Sequence, residues 1–101
     1  MANERILIVE DDSQIAEVLA AYLQRDGYLT SICRDGGEAM QMFRQWQPDL
    51  VLLDYMLPQV SGNEILAAIR RAGDVPVIMG RPSMEKWRSW VRFATVRTTM
   101  S

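Results

Sequence analysis

Three carboxylates placed just past apolar runs are the residues of this 101-residue chain best suited to chemistry. Glu10 and Asp11 follow Ile6-Leu7-Ile8-Val9, and Asp54 follows Leu50-Val51-Leu52-Leu53. Carboxylates brought together repel and raise one another's pKa, a cost that a divalent cation removes. Magnesium prefers oxygen ligands in octahedral geometry, keeps several waters and typically takes one or two protein carboxylates. The expected site is therefore a magnesium seat beside one reactive carboxylate. Asp54 is the candidate nucleophile, because it alone ends what reads as the central strand. An aspartate can attack a phosphoryl group to form an acyl phosphate, and a metal offsets charge on the transferring oxygens. Any one of these acids could be a simple turn former after a strand. The three in combination are harder to dismiss. Asp12 reads as a surface or capping acid.

The absence of histidine excludes a Ser-His-Asp triad, a phosphohistidine carrier and a histidine-ligated metal. An aspartate-nucleophile hydrolase usually needs a second aspartate two residues after the first, where Met56 stands. No enzymatic activity is expected.

Convergence of acids so distant in sequence requires a sheet. Ile6–Val9 and Leu50–Leu53 are continuous apolar runs of the kind buried on both faces of a parallel sheet. Ser13 can cap a helix, with Ile15, Val18, Leu19, Tyr22 and Leu23 on one face and Gly27 as a stop. Tyr28–Cys33 reads as a second strand and Glu38–Trp46 as a helix with Ala39 and Phe43 inward, broken at Pro48. After a loop over Tyr55–Gly62, Asn63–Arg71 reads as a helix with Ile65, Leu66 and Ile69 inward. Val75–Met79 is a fourth strand. The order βαβαβαβ gives a parallel sheet with helices on both faces. With strand order 2-1-3-4, the first and third strands meet at the switch point where ligands bind.

The bulk properties agree with one small domain. A single cysteine, Cys33, allows no intramolecular disulfide and suits a reducing cytoplasm. Ile6–Val9 is too short for a signal peptide or membrane span. The net charge of −2 hides an asymmetry. Residues 1–79 hold six arginines against twelve acids, a net −6, whereas residues 80–101 hold five cations against one acid, a net +4. Arg81, Lys86, Arg88, Arg92 and Arg97, with Trp87 and Trp90, mark a segment of different character. Such a tail could contact nucleic-acid phosphates and stack bases; short basic stretches are more often solvated faces.

Ile6-Leu7-Ile8-Val9-Glu10-Asp11-Asp12, Pro48-Asp49-Leu50-Val51-Leu52-Leu53-Asp54-Tyr55-Met56-Leu57-Pro58 and Gly62 together resemble the receiver domain of bacterial two-component response regulators. Asp35-Gly36-Gly37-Glu38-Ala39 and Asp74-Val75-Pro76-Val77-Ile78-Met79 fit the same family. Glu10 and Met56-Leu57-Pro58 resemble the subfamily that carries a winged-helix DNA-binding domain, although no such domain is expected within these 101 residues. The resemblance covers residues 4–79 and implies a flavodoxin-like, doubly wound α/β fold. It implies that Asp54 accepts phosphate from a sensor histidine kinase. Glu10 and Asp11 would form the acidic pocket. Asp11, Asp54 and the backbone carbonyl of Met56 would bind Mg2+, and Pro58 and Gly62 would shape the following loop. Proline fixes φ there, and glycine permits φ > 0.

The chain departs from that pattern after Met79. Arg81 and Pro82 stand where the family has a Ser or Thr followed by Ala. The family's lysine after a fifth strand has no counterpart, and Lys86 is not in that context. The fold is thus expected to be incomplete, lacking the fifth strand and last two helices. Residues 1–79 form a partial receiver, and residues 80–101 an aberrant tail. Read out of frame from the third base of the Thr95 codon, the tail can encode Gly-Ala-Asp-Asp-Tyr-Val, which resembles the segment leading into the family's fifth strand. A frameshift near residue 80 is the expectation. An uncovered sheet edge promotes pairing, so a homodimer or domain-exchanged oligomer is a further expectation. Three readings stay open: an impaired phospho-acceptor, a non-signalling module that sequesters a kinase, and a non-functional fragment.

Overall fold

A computed structural model of the chain describes residues 4–54, 57 and 60–80. They form β1 (Arg5–Val9), α1 (Ser13–Arg25), β2 (Leu29–Cys33), α2 (Ala39–Trp46), β3 (Leu50–Leu53), α3 (Gly62–Ala72) and β4 (Val77–Met79), with a 3-10 turn over Gly36–Glu38 before α2. All strand pairs are parallel, in the order β2-β1-β3-β4. The doubly wound topology expected from the sequence is therefore present. The expected lack of a fifth strand and of the last two helices falls on residues 81–101, which lie outside the described residues.

Side-chain alternation divides the two apolar runs between two cores, because neighbouring residues of a strand point to opposite faces. Ile6, Ile8, Leu50 and Leu52 pack with Ala16, Leu19, Ala20 and Leu23 of α1. Leu7, Val9, Val51 and Leu53 pack on the other face with Phe43 of α2 and Ile65 and Ile69 of α3. Helices on both faces explain why β1 and β3 carry no polar alternation.

The bottom of the sheet is tied by Arg5 and Asp49. The Asp49 N–H donates to the Arg5 carbonyl at 2.7 Å, and the Arg5 N–H donates to Asp49 Oδ2 at 2.8 Å. The Arg5 guanidinium also donates to the Trp46 carbonyl at 2.9 Å, covering a terminal acceptor of α2.

Several local expectations are corrected. Ser13 is the first residue of α1, not its cap; Asp12, read as a surface or capping acid, is the cap, its Oδ1 accepting from the Gln14 and Ile15 N–H groups at 2.9 and 3.2 Å. Val18 is 44% exposed; Leu19 and Leu23 are buried as expected, joined by Ala16 and Ala20. Strand β4 is confined to Val77–Met79, shorter than Val75–Met79. Gly27 does end the first helical segment in a left-handed conformation, at φ 96°, its N–H donating to the Gln24 carbonyl.

Helix α2 ends differently. Gln47 has φ 52°, the one positive φ of a non-glycine among the described residues. A left-handed side-chain residue is strained by roughly 1–2 kcal/mol, while glycine adds roughly 0.5–1 kcal/mol of unfolded-chain entropy. Gln47→Gly is therefore expected to stabilise the fold by about 0.5 kcal/mol. Urea unfolding would show this as a higher midpoint at an unchanged slope.

Candidate functional site

The site is built where strands end. In this sheet the hydrogen-bond ladder runs one residue past β1 and β3. The Glu10 N–H donates to the Cys33 carbonyl of β2 at 3.0 Å, and the Asp54 N–H donates to the Val9 carbonyl of β1 at 3.0 Å. The Gly80 N–H then donates to the Leu53 carbonyl at 3.0 Å, holding the end of β4 alongside. These bonds fix the backbones of Glu10 and Asp54 on adjacent strands. Parallel register does the rest, since Val9 is opposite both Cys33 and Leu53.

The three acids singled out from sequence do converge. Glu10, Asp11 and Asp54 each place a carboxylate oxygen within 4.8 Å of the others. Glu10 and Asp54 are buried, 4% and 1% exposed, whereas Asp11 is exposed. Glu10 Oε2 accepts from the Asp12 N–H at 3.2 Å, which fixes its carboxylate at the start of α1. Burial is the main reason that the Glu10 carboxyl is pushed up from 4.5 to about 7, and its hydrogen bonds and repulsion with Asp54 and hydrogen bonding with Asp11 add to it; the Asp12 N–H acts in the opposite direction.

The donor set fits a hard divalent cation. All three groups supply oxygen, two are held in a low-dielectric environment, and one opens to solvent. Asp11 and Asp54 would hold such an ion, with Glu10 beside it, and the ion would offset the charge of the clustered carboxylates.

Other expected site residues are placed less completely. Met56 and Pro58 lie outside the described residues, as do Arg81, Pro82, Lys86, Trp87 and Trp90. Gly62 is buried and opens α3. Its φ is not positive, since the positive-φ glycines among the described residues are Gly27 and Gly80. The expected need for a left-handed turn at Gly62 is thus corrected. Ser61 caps α3 by accepting from the Glu64 N–H at 3.2 Å. Sequence reading missed the Cys33 carbonyl and the Asp12 N–H as supports of Glu10. Backbone groups leave no trace in residue type, and only the parallel register could have located them.

Cys33 itself faces the α2–α3 core and is 2% exposed. Its thiol donates to the Asp35 carbonyl at 3.0 Å, and burial is the main cause that pushes its pKa up. A thiol that resists ionising and reaching solvent is a poor nucleophile. Cys33 is expected to stay unmodified by a water-soluble alkylating reagent in native buffer and to react fully in denaturant. Intact mass measured before and after unfolding checks this.

Comparisons with known proteins agree with this geometry. The family profile described as the response regulator receiver domain matches residues 6–84. The DNA-binding response regulator MtrA of Mycolicibacterium paratuberculosis is 41% identical over 77 residues, covering 76% of this chain and 34% of that protein. The transcriptional regulatory protein BaeR of Escherichia coli O6:H1 is 38% identical over 82 residues, covering 81% of this chain and 34% of BaeR. The chain thus spans about a third of the length of these relatives. Among solved structures, the response regulator TrrA of Thermotoga maritima, in complex with Mg(2+)-BeF, superposes with a TM-score of 0.78 at 25% identity, covering 90% of this chain and 98% of that one. Among the described residues no helix is long and apolar enough to cross a membrane. With the strand order, the acid cluster and the profile in agreement, this chain belongs to the response regulator receiver domain family of two-component systems.

Proposed function

We propose that the chain is a phosphorelay acceptor, in which Asp54 takes a phosphoryl group from a sensor histidine kinase in the cytoplasm. What supports this reading is one observation above others: Asp54 ends the central strand within 4.8 Å of Glu10 and Asp11. In the transfer, an Asp54 carboxylate oxygen forms a bond to phosphorus as the phosphorus–nitrogen bond of the donor imidazole breaks. The imidazole leaves with the electron pair and takes up a proton. Bound Mg2+, held by Asp11 and Asp54 with the Met56 carbonyl, would neutralise charge on the transferring oxygens. Glu10 keeps the pocket acidic and orients it through Asp12. Pro58 and Gly62 shape the chain that leaves the site. The domain is consumed stoichiometrically as an acceptor and is no enzyme in its own right.

Output is impaired in this reading. Phosphorylation adds roughly two negative charges, and a receiver answers them through a hydroxyl and a lysine that Arg81 and Pro82 do not replace. The segment 80–101 is read as an out-of-frame remnant. The test is incubation with a small acyl phosphate and magnesium, followed by intact mass and amide exchange. Slow gain of one phosphoryl group, with little change in exchange around β4, is the expected result. Rapid stoichiometric uptake with new protection at Val77–Gly80 would show an intact switch and refute the impairment. No uptake under any donor concentration would leave kinase sequestration as the better reading.

A further inference from the structure

The chain leaving Asp54 crosses seven residues before α3 begins at Gly62. Two of them, Leu57 and Val60, are half-buried against the core shared by α2 and α3. The surface they meet is unusual. A methyl group built on Gly36 would lie 3.3 Å from Leu57 Cδ1, 3.3 Å from Val60 Cβ and 3.3 Å from Ile65 Cδ1. Each distance is shorter than ordinary carbon–carbon contact, which begins near ~3.5 Å. Leu57 and Ile65 present flexible side-chain ends and can give way. Val60 presents the carbon attached to its backbone, so relief there must move the main chain next to Ser61.

Gly36 does not need its glycine for backbone conformation, because its φ is not positive. What the position requires is space. The same connection also bears on the acids from the other side. Asp35 caps the 3-10 turn by accepting from the Gly37 N–H at 2.8 Å, which fixes Gly36 directly after β2. Two residues before Asp35, the Cys33 carbonyl holds the Glu10 N–H. One short, hydrogen-bonded segment thus touches both Glu10 and the chain that follows Asp54.

We propose that Gly36 is a positioning residue for the acidic site: the space left by its missing side chain seats Leu57 and Val60, which lie between Asp54 and α3, against the segment whose Cys33 carbonyl holds Glu10. This rests on reading the cluster as a magnesium-dependent acceptor site. A displacement of a few tenths of an ångström at Val60 alters the site while the two cores keep their packing. Gly36→Ala is expected to weaken magnesium binding about three- to tenfold, less than the roughly 10–100-fold typical of residues that bond metal ligands directly.

The experiment measures magnesium affinity from amide NMR shifts around Glu10 and Asp54, together with metal-free amide exchange of Glu64 and Ile65, whose N–H groups both bond to the Ser61 carbonyl. Thermal midpoints are recorded in parallel. Gly73→Ala is the control, since nothing lies within 4 Å of a methyl group built there. Support consists of weaker magnesium binding and faster exchange in Gly36→Ala, with a midpoint close to wild type and to Gly73→Ala. Partial recovery in Gly36→Ala combined with Leu57→Ala and Ile65→Val, which removes two of the three crowded atoms, would strengthen it. Unchanged magnesium affinity in folded Gly36→Ala would overturn it. If Gly36→Ala does not fold, Val60→Gly combined with Leu57→Ala empties the same seat from the other side, and an unchanged affinity there would overturn the proposal equally. A wild-type chain without any magnesium response would refute the parent reading of the site and this inference with it.

Discussion

Asp54→Asn is expected to reduce phosphoryl uptake at least about a hundredfold, because the amide that replaces the carboxylate is no longer a competent nucleophile. The fold should survive. Asparagine has nearly the same shape, and the Asp54 N–H bond to the Val9 carbonyl belongs to the backbone. The substitution also removes one negative charge from a site where burial and repulsion act together on Glu10. Glu10 should therefore titrate lower in the variant, although not at its ordinary value, since its burial is unchanged. Resistance to urea at neutral pH without metal should rise. Intact mass after exposure to an acyl phosphate, with urea midpoints of both proteins, checks the two halves together. Wild-type uptake in Asp54→Asn would place the acceptor elsewhere and remove the basis of the proposed function.

Much of this site was legible from residue types alone. Ile6–Val9 and Leu50–Leu53 are uninterrupted apolar runs, and such runs fit only strands covered on both faces. An acid that ends such a run must sit at the mouth of the sheet, and strand order then brings Glu10, Asp11 and Asp54 together. The failures share a different physics. Asp12 and Ser13 are both good caps, and adjacent candidates cannot be separated without the backbone. Val18 fits a helical stripe with Ile15, Leu19, Tyr22 and Leu23, while Ala16 and Ala20 are small and also suit exposed helix positions. Yet Ala16, Leu19, Ala20 and Leu23 follow the i, i+3, i+4, i+7 spacing of a buried stripe. Small residues permit close approach of α1 to Ile6, Ile8, Leu50 and Leu52, and size alone therefore points the wrong way. Gly36 was less accessible still. Its neighbours Leu57, Val60 and Ile65 lie more than twenty positions away, and no local period links them. Only the packed structure exposes why a side chain is excluded there.

The second large effect concerns pH. Glu10 is an acid whose folded pKa lies above its ordinary value, about 7 against 4.5. Between these values the folded state holds a proton that the unfolded chain has released. Stability therefore falls as pH rises. The favourable contribution is complete below about 4.5 and is lost as pH passes through about 7. Its size is on the order of 2 kcal/mol, a substantial part of what a small domain possesses. Other carboxylates titrate at lower pH and would obscure a single curve, so the comparison must be with Glu10→Gln, which keeps the shape and cannot lose the proton. Between pH ~5 and ~8 the wild type should lose on the order of 2 kcal/mol relative to Glu10→Gln. Saturating magnesium at the upper end should recover much of that loss in the wild type, since a ligand that binds only the folded state stabilises it. Urea unfolding of both proteins across this range, with and without magnesium, supplies the measurement. Parallel curves would mean that Glu10 is ionised throughout, and that the acidic site carries its charge without a proton. The difference matters for function. A site that holds a proton near neutrality must release it before all three carboxylates can serve a cation, so magnesium affinity should climb with pH over the same interval in which the metal-free fold weakens.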